Sequence, residues 1–286
     1  MVGAVTQPDR PAGRGRKLRS SPVKEAALEE DLPVLTPDPP RGDEFVASVR
    51  ALSPDVSVVV AYGHILPREV LELPRLGSLN VHASLLPALR GAAPVNWAIV
   101  QGHERTGVTV MRMVEEMDAG PILVQREEPI EDEDTASSLS LRLSELGAGV
   151  LLEALALVEM GKAEGREQDH EAATFAPKVD RETARVRWSR TAGELGRWIR
   201  GMDQVPGAWS PLGDEPVKLY APEPLERVTD AEPGTVVAAD PDHDGLVVAA
   251  GRGAVRIEEV QPPGKKRMSA RDWIRGRGPS RGDRFG

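Results

Sequence analysis

Hydrophobic and polar positions follow strand-like and helix-like patterns in the first part of the chain. Residues 55–62, DVSVVVAY, form a continuous apolar run rich in β-branched residues, which is typical of a strand buried on both faces of a parallel sheet. The segments LNVH at 79–82 and TGVTVMRM at 106–113 predict two further strands. Between them, APVNWAIVQG predicts a helix with Pro94 in its first turn and Gly102 at its end.

The neighbouring segments extend this alternation of helix and strand. SPVKEAALEEDLPVL predicts a helix over residues 21–30 and a short strand at 32–35. Residues 135–160 show a long helical pattern, with Gly147 and Gly149 as candidate break points. Helices and strands that alternate on this scale predict an α/β domain with a parallel sheet.

The pattern changes after about residue 165. Residues 166–190 are polar and connective, and residues 191–202 predict a helix. Short β-like segments follow, separated by Pro, Asp and Gly turns, at 216–221, 234–239, 245–250 and 254–260. Their spacing predicts a second, smaller domain that is a β-barrel or sandwich. We therefore expect a first domain over residues 1–175, a linker and helix over 176–203, and a second domain over 204–286.

Composition narrows the possible chemistry. The 286 residues include no cysteine, which excludes disulfides, a thiolate metal site and a cysteine nucleophile. The histidines show no metal-ligand spacing, so we expect no metal. No apolar run approaches the roughly 20 residues that a membrane helix needs. The N-terminal charges follow the short apolar stretch instead of preceding it, so we expect no signal peptide and a cytoplasmic protein.

Two basic islands stand out from an acidic chain whose formal net charge is -9. Residues 9–24 hold six basic side chains and one acidic side chain, and residues 264–286 hold eight and two. Such islands can bind a polyanion locally while the acidic remainder disfavours non-specific contact. The alternative is that both islands are solvated tails.

Three polar residues fall near the predicted strand ends. Asn80 and His82 are two residues apart, which puts their side chains on one face of a strand, and Asp118 follows the strand predicted at 106–113. In open parallel sheets ligands bind beyond the carboxyl ends of the strands. An Asn amide can donate to an oxygen that gains negative charge, a His can move protons, and an Asp can orient that His. The alternative is structural: a loop cap, a buried histidine and a turn residue.

The segments around these residues resemble one enzyme family. NVHASLLPALRGAAPVNWAIVQG and TGVTVMRMVEEMDAGPIL are similar to the formyltransferases that use 10-formyltetrahydrofolate. The shared features are Asn-x-His on a strand, SLLP-x-x-RG after it, and a D-x-G turn 36 residues after the His. Residues 6–24, TQPDRPAGRGRKLRSSPVK, resemble the tRNA-contacting loop of the members that formylate methionyl-tRNA. The tail PPGKKRMSARDWIRGRGPSRGDRFG resembles the end of their OB-like C-terminal domain.

The resemblance implies a fold, a reaction and a set of site residues. The implied fold is a Rossmann-like parallel-sheet formyltransferase domain followed by a small OB-like β-barrel. The implied reaction transfers a formyl group from 10-formyltetrahydrofolate to the methionine of initiator methionyl-tRNA, in a monomer without a metal. The implied catalytic residues are Asn80, His82 and Asp118. The folate site would use Tyr62, Gly63, His64, Ile65, Leu66, Ser84, Leu85, Leu86 and Pro87. The tRNA site would use Arg10, Arg14, Arg16, Lys17, Lys265, Lys266 and Arg267.

The start of the chain departs from this family. Its members begin with a strand, a Gly-containing turn and a helix before the segment that matches MVGAVTQPDRP. Met1 falls where the second strand is expected, so about 25 residues of a βαβ unit have no counterpart. Either the start lies upstream, or the chain is a defective or rebuilt variant. As written, we expect it to be poorly soluble or partly unfolded, and inactive, because an inner strand is missing.

Two other functions remain open on the sequence alone. The same fold can hydrolyse a formyl folate or formylate a small amine, although the basic loop and second domain disfavour this. A protein of a different class could bind folate or RNA without turnover, if the departure at the N-terminus has destroyed the site.

Overall fold

The computed structural model describes residues 1–12, 17–226 and 229–286. The chain divides into two units, each formed by several segments. The first unit comprises residues 1–90, 108–126 and 146–174, and the second comprises 91–107, 127–145 and 175–286. None of the helices among the described residues is both long and apolar enough to cross a membrane.

Helices and short strands alternate up to about residue 160. The strands of this part are β1 (Ala4–Val5), β2 (Arg10–Ala12), β3 (Lys17–Arg19), β4 (Val34–Leu35), β5 (Ser57–Val59), β6 (Ser78–His82), β7 (Arg105–Arg112) and β8 (Ile122–Pro129). The helices are α1 (Pro22–Glu29), α2 (Asp43–Ala51), α3 (Arg68–Leu71), α4 (Pro94–Gln101) and α5 (Ala136–Glu159). The α/β class expected from the sequence is confirmed, while α2, α3 and β8 were not predicted.

The strands of the first unit are paired in separate sheets. β1 pairs with β4 in parallel, and β2 pairs with β3 as an antiparallel hairpin. A third sheet has the order β5-β6-β7-β8. Within it β5 and β6 are parallel, but β7 runs antiparallel to β6, with His82 opposite Thr109. The expectation that all these strands run parallel is therefore wrong at β7.

Local signals in the sequence account for several helix ends. Ser21 caps α1 by accepting a hydrogen bond from the backbone N–H of Lys24 at 3.2 Å, and Pro22 occupies the first turn. The predicted interruption of α5 is wrong, because the helix continues through Gly147. A Cβ at Gly147 would lie 3.4 Å from Val81 Cγ1, so the glycine allows close packing against β6.

Two small clusters of apolar side chains lie inside the first unit. Phe45, Val49 and Val70 pack together, with Val5 and Leu35 of the β1–β4 pair against them. Leu86, Met111 and Ile122 form the second cluster, beside the segment that follows β6. The second cluster packs the segment after β6 against β7 and β8.

The second unit is built on a curled antiparallel sheet. The strands of this sheet are β9 (Trp209–Leu212), β10 (Glu215–Leu225), β11 (Val236–Asp240), β12 (Gly245–Ala249), β13 (Ala254–Gln261) and β14 (Met268–Ser269), and the helices after residue 175 are α6 (Ala192–Gly201) and α7 (Ala270–Arg277). The strand order is β11-β12-β13-β10-β9, with β14 on β13. The expected β domain is confirmed in its class, although α7 was not predicted.

The C-terminal residues join the two edge strands of this sheet. The N–H of Val236 donates to the carbonyl of Asp283 at 2.8 Å, and the N–H of Gly286 donates to the carbonyl of Pro211 at 2.9 Å. Phe285, between them, is 1% exposed and stacks on Trp188 with ring centroids 5.7 Å apart. The chain end therefore covers both open edges of the sheet, which gives it the form of a small barrel.

Candidate active site

β6 places an amide and an imidazole side by side in the first unit. Asn80 and His82 are two residues apart on this strand, so their side chains lie on the same face. In the register with β7, Asn80 lies opposite Met111 and His82 lies opposite Thr109. His82 is 5% exposed, whereas Asn80 is half-buried. The amide is therefore the more accessible of the two polar groups.

The Asp118 carboxylate completes this group. Asn80 Nδ2 donates to Asp118 Oδ1 at 3.3 Å, and His82 Nδ1 lies 3.6 Å from Asp118 Oδ2. The second distance exceeds that of a good hydrogen bond but is within the range of an ion pair. The three residues that the sequence singled out are thus within contact distance of one another.

The route by which Asp118 arrives differs from the one the sequence suggested. Parallel strands would have brought the two carboxyl ends together, but β7 is antiparallel, and its carboxyl end at Arg112 lies opposite Leu79. The loop between β7 and β8 folds back to the side chains on β6 instead. Within it Asp118 has a φ of 53°, and a Cβ at Gly120 would lie 1.9 Å from the carbonyl oxygen of Arg112. Only glycine fits at position 120, since the backbone approaches so closely.

The hydrogen bond of His82 to Leu89 determines which ring nitrogen carries the proton in the neutral side chain. Its Nε2 lies 3.0 Å from the carbonyl oxygen of Leu89, which can only accept, so this nitrogen donates. In the neutral ring Nδ1 then carries the lone pair, and it faces the carboxylate of Asp118. Nδ1 is therefore the ring nitrogen that can accept a proton, and it lies beside the Asp118 carboxylate.

The side chains of Thr109 and Gln125 hold the backbone of the segment Ser84–Pro87 by hydrogen bonds. The Leu86 N–H donates to Thr109 Oγ1 at 3.2 Å, and the Leu86 carbonyl accepts from Gln125 Nε2 at 3.0 Å. Thr109 Oγ1 in turn donates to the carbonyl of Ser84 at 2.6 Å. The backbone of this segment is therefore held in one conformation beside His82.

Side chains of the same segment alternate between buried and accessible. Leu86 is 2% exposed and packs in the cluster with Met111 and Ile122. Leu85 and Pro87 are half-buried. A ligand on this side of β6 would meet Leu85 and Pro87, while Leu86 would support them from the interior.

The segment Tyr62–Leu66 offers backbone polar groups and one orphaned hydroxyl. Among the described residues, Gly63 to Leu66 form no backbone–backbone hydrogen bond. The carbonyl of Tyr62 accepts from Gln7 Nε2 at 2.6 Å. The Tyr62 hydroxyl is buried without a hydrogen-bond partner among the described residues, and burial raises the pKa of this phenol. A neutral buried hydroxyl and open backbone groups suit a flat polar heterocycle.

Gln168 was not predicted from the sequence, and Arg90 appeared there only as the Arg of the SLLP-x-x-RG motif, without a role. Gln168 bonds the loop that carries Asp118, and Arg90 bonds Gln168. Arg90 is 2% exposed and Gln168 is 5% exposed, and the two side chains are hydrogen-bonded. Gln168 belongs to the segment interpreted as connective, and it lies 50 residues after Asp118. No local pattern marks such a residue, since its role depends on a contact distant in sequence.

The residues expected at a tRNA site divide into two groups by position. Arg10 is exposed on β2, and Lys17 lies on β3 of the same hairpin. Arg14 and Arg16 lie outside the described residues. Lys265 and Lys266 are exposed in the turn after β13, and no described carboxylate lies within ion-pair distance of either.

Arg267 is engaged within its own unit. Its guanidinium pairs with Glu259 and, at 3.2 Å, with Asp203, and it lies 4.2 Å from the centre of the Tyr220 ring. Other arginines of this basic island are also held by carbonyls or carboxylates: Arg271, Arg275 and Arg284. Much of the positive charge expected to be free for a polyanion is therefore neutralised locally.

The described residues contain no cluster of three or more His, Cys, Asp or Glu side chains that could hold a metal ion.

Two sequence models of protein families match most of the chain. The model described as "Formyl transferase" matches residues 1–155, and the model described as "Formyl transferase, C-terminal domain" matches residues 178–278.

Curated relatives match over nearly the whole chain. A methionyl-tRNA formyltransferase of Bacillus subtilis is 45% identical over 100% of this chain and 90% of its own length. Those of Desulfotalea psychrophila and Methylococcus capsulatus are 46% and 47% identical, over 96% and 94% of this chain and 85% and 86% of their own lengths.

Solved structures share the fold at low sequence identity. HypX from Aquifex aeolicus in complex with tetrahydrofolic acid has a TM-score of 0.68 and 21% identity, over 99% of this chain and 50% of that protein. An N-formyltransferase from Helicobacter canadensis, in complex with folinic acid and dTDP-3-aminofucose, has a TM-score of 0.63 and 15% identity, over 91% of this chain and 88% of that protein.

Proposed function

This chain belongs to the family of methionyl-tRNA formyltransferases, and we propose that it transfers a formyl group from 10-formyltetrahydrofolate to the α-amino group of methionine on initiator tRNA. The product of this reaction is used to begin translation. The observation that carries the proposal is the contact of the Asn80 amide, the His82 ring and the Asp118 carboxylate at one place.

Asn80 would bind the formyl oxygen. The amide nitrogen carries two N–H groups, and Asp118 accepts one of them at 3.3 Å. This contact fixes the orientation of the amide, so the second N–H can donate to an oxygen that gains negative charge. A donor held in place before the reaction stabilises such charge without reorganising at that moment.

His82 and Asp118 would handle the proton of the amine. An amine attacks a carbonyl only in its neutral form, so a proton must leave it. His82 Nδ1, which lies 3.6 Å from the Asp118 carboxylate, would take that proton as the bond from the amine to the formyl carbon forms. It would return the proton to the folate nitrogen as the bond from that nitrogen to the formyl carbon breaks, so that tetrahydrofolate leaves with an N–H. The hydrogen bond from Nε2 to the carbonyl of Leu89 keeps the ring in the tautomer that this step needs.

The residues around the site fit the folate co-substrate. When bound, 10-formyltetrahydrofolate supplies a formyl group carried on a nitrogen. The open backbone groups of residues 63–66 and the buried Tyr62 hydroxyl would bind the flat heterocycle, and His64 stacks near Tyr62 with ring centroids 5.6 Å apart. Leu85 and Pro87 would contact its apolar surface, with Ser84 and Leu86 holding them.

Basic residues of two segments would bind the phosphates of the tRNA. On this proposal Arg10 and Lys17 act from the N-terminal hairpin together with Arg14 and Arg16, and Lys265 and Lys266 act from the turn after β13. Phosphate contacts of this kind position a nucleic acid without reading its sequence. Arg267 would contribute less, because two carboxylates already hold it.

Domain limits, assembly and location belong to the same proposal. We assign residues 1–175 to the catalytic domain, 176–203 to a linker with α6, and 204–286 to the tRNA-binding domain. The gap between the two family models, at residues 156–177, supports the end of the first domain, while the second model includes residues 178–203. We infer a monomer that acts in the cytoplasm, where charged initiator tRNA is used. Light scattering on the purified chain tests the monomer.

The test is formyl transfer to charged initiator tRNA, followed with a labelled formyl group. Uncharged initiator tRNA and charged elongator tRNA are the controls. We expect label on the charged initiator tRNA, and only a low level on either control. Release of free formate instead would favour a hydrolase, and binding of tRNA or folate without any turnover would favour a binding protein.

A further inference from the structure

A buried arginine and a buried glutamine form a pair beside the candidate active site. Arg90 donates from Nε at 3.1 Å and from Nη2 at 2.7 Å to the same oxygen, Gln168 Oε1. Arg90 Nη2 also lies 3.2 Å from His170 Nδ1. Both side chains of the pair are almost completely buried, at 2% and 5% exposure. The amide of Gln168 therefore has a fixed orientation, with its nitrogen directed away from Arg90.

The nitrogen of this amide holds the loop that carries Asp118. Gln168 Nε2 donates to the carbonyl of Asp118 at 2.9 Å and to the carbonyl of Gly120 at 2.7 Å. These two hydrogen bonds fix the backbone on either side of Ala119, next to the residue that carries the Asp118 carboxylate. Asp118 has a φ of 53°, a conformation that a non-glycine residue adopts only when its surroundings hold it.

Stability alone gives a weak reason for this pair. A buried charge is costly unless a carboxylate neutralises it nearby. Glu116 Oε1 lies 3.9 Å from Arg90 Nη1, at the outer limit of an ion pair, and the Glu116 side chain is 72% exposed. An apolar pair of similar volume would fill the same space with less desolvation.

The main chain at Arg90 also holds the other half of the site. Its neighbour Leu89 offers the carbonyl that accepts from His82 Nε2 at 3.0 Å. The dipeptide Leu89–Arg90 therefore acts on both parts of the site. The Leu89 carbonyl orients the imidazole, and the Arg90 side chain orients the Asp118 loop through Gln168.

We propose that Arg90 and Gln168 are positioning residues, which set the distance of the Asp118 carboxylate from Asn80 and His82. Gln168 transmits the position of Arg90 to the Asp118 loop, and neither side chain has to touch a substrate. This inference rests on the proposed function, because it assigns the two residues a part in formyl transfer.

The first test separates positioning from substrate binding. Gln168→Leu removes both bonds to the loop, and we expect kcat to fall about 10²-fold, the effect of misplacing a catalytic group by about 1 Å. The KM for the folate should stay within about 3-fold, because uniform binding is not lost. Gln168→Glu keeps an acceptor for Arg90 but has no N–H for the two carbonyls, so it should lower kcat as much as Gln168→Leu does. The matched control is Gln101→Leu, an exposed glutamine of α4, which should leave kcat unchanged.

The second test asks whether Gln168 acts through Asp118. In the background of Asp118→Asn, the change Gln168→Leu should lower kcat by no more than about 3-fold further, because residues that act as a unit are strongly non-additive. If the two effects multiply in full, or if Gln168→Leu has normal kcat, the inference is wrong.

The third test does not depend on activity. Hydrogen–deuterium exchange should become faster in residues 113–121 of Gln168→Leu and of Gln168→Glu, with the other segments near wild type. If the wild-type chain shows no formyl transfer, the proposed function fails and this measurement alone decides the positioning role. Unchanged exchange in that loop would overturn it in either case.

Discussion

Removing the Asn80 amide provides the sharpest test of the proposed chemistry. Asn80→Ala deletes two N–H donors: one that binds Asp118 Oδ1 at 3.3 Å, and one proposed to bind the formyl oxygen. The first is a ground-state contact of the folded protein, and the second matters mainly as charge develops in the reaction. The variant therefore affects stability and rate by different amounts.

The two magnitudes can be compared. The bond to Asp118 is long and lies at a half-buried position, so its loss should cost about 0.5–1.5 kcal/mol of unfolding free energy. Loss of a preorganised donor to a developing oxyanion typically lowers kcat by about 10²–10³-fold, or about 2.7–4 kcal/mol. We therefore expect Asn80→Ala to remain folded and to raise the activation free energy of formyl transfer by more than it lowers the free energy of unfolding.

The assay is single-turnover formylation of charged initiator tRNA, with urea unfolding of the same samples. Asn96→Ala is the matched control, because Asn96 Nδ2 donates to the carbonyl of Gly201 at 2.7 Å and not to a residue of the catalytic group. We expect this control to lose stability and keep its turnover per folded molecule. If folded Asn80→Ala retained a rate within about 10-fold of wild type, the oxyanion role of this amide would be refuted.

The remaining predictions concern the catalytic imidazole, the basic turn after β13 and one buried carboxylate. His82→Ala should lower kcat by at least about 10²-fold, measured in the same assay, and added imidazole should restore part of it if the ring acts as a base. Lys265→Ala should reduce the slope of log Kd for tRNA against log salt by about 1, whereas Arg267→Ala should lower the urea midpoint and leave that slope nearly unchanged. If neither variant changed the salt dependence of tRNA binding, the turn after β13 would not be part of the tRNA site. Burial opposes the ionisation of Asp134, but its hydrogen bonds, above all that from the Arg142 guanidinium, hold its pKa below the usual value. This stabilisation is present above the unfolded pKa of about 3.9 and is lost as pH falls through the lower folded value, so Arg142→Met should reduce stability at pH 7 and flatten its loss at acid pH.

Elements with strong local signals were predicted well. β6 and α1 were placed to within a residue or two, and for α1 this is because a capping serine and a proline in the first turn act locally. α2 and α3 were missed, since each is short and α2 begins after Gly42 without a side-chain cap. Gly147 was given too much weight as a helix breaker, because the sequence does not show that Val81 packs against it.

The candidate site was predictable only in part, for a physical reason. The spacing of Asn80 and His82 fixes a shared face, since the side-chain period of a strand is two. The approach of Asp118 was expected from a parallel arrangement that does not exist, and the contact is made by a loop that folds back from an antiparallel strand. The direction of β7 depends on pairing across the sheet, which no local pattern encodes.

The position of Asp118 shows how such a loop depends on distant contacts. Asp118 has a φ of 53°, and such a conformation in a non-glycine residue costs on the order of 1–3 kcal/mol. Two hydrogen bonds from Gln168 can offset it, each contributing about 0.5–1.5 kcal/mol or more in a buried site. Asp118 is therefore placed by a residue 50 positions later and, through it, by the arginine next to the carbonyl that orients His82. The distance between the Asp118 carboxylate and the His82 imidazole therefore depends on contacts between segments that are distant in sequence. A substitution that removes the Gln168 hydrogen bonds should lower the rate of formyl transfer while the protein remains folded.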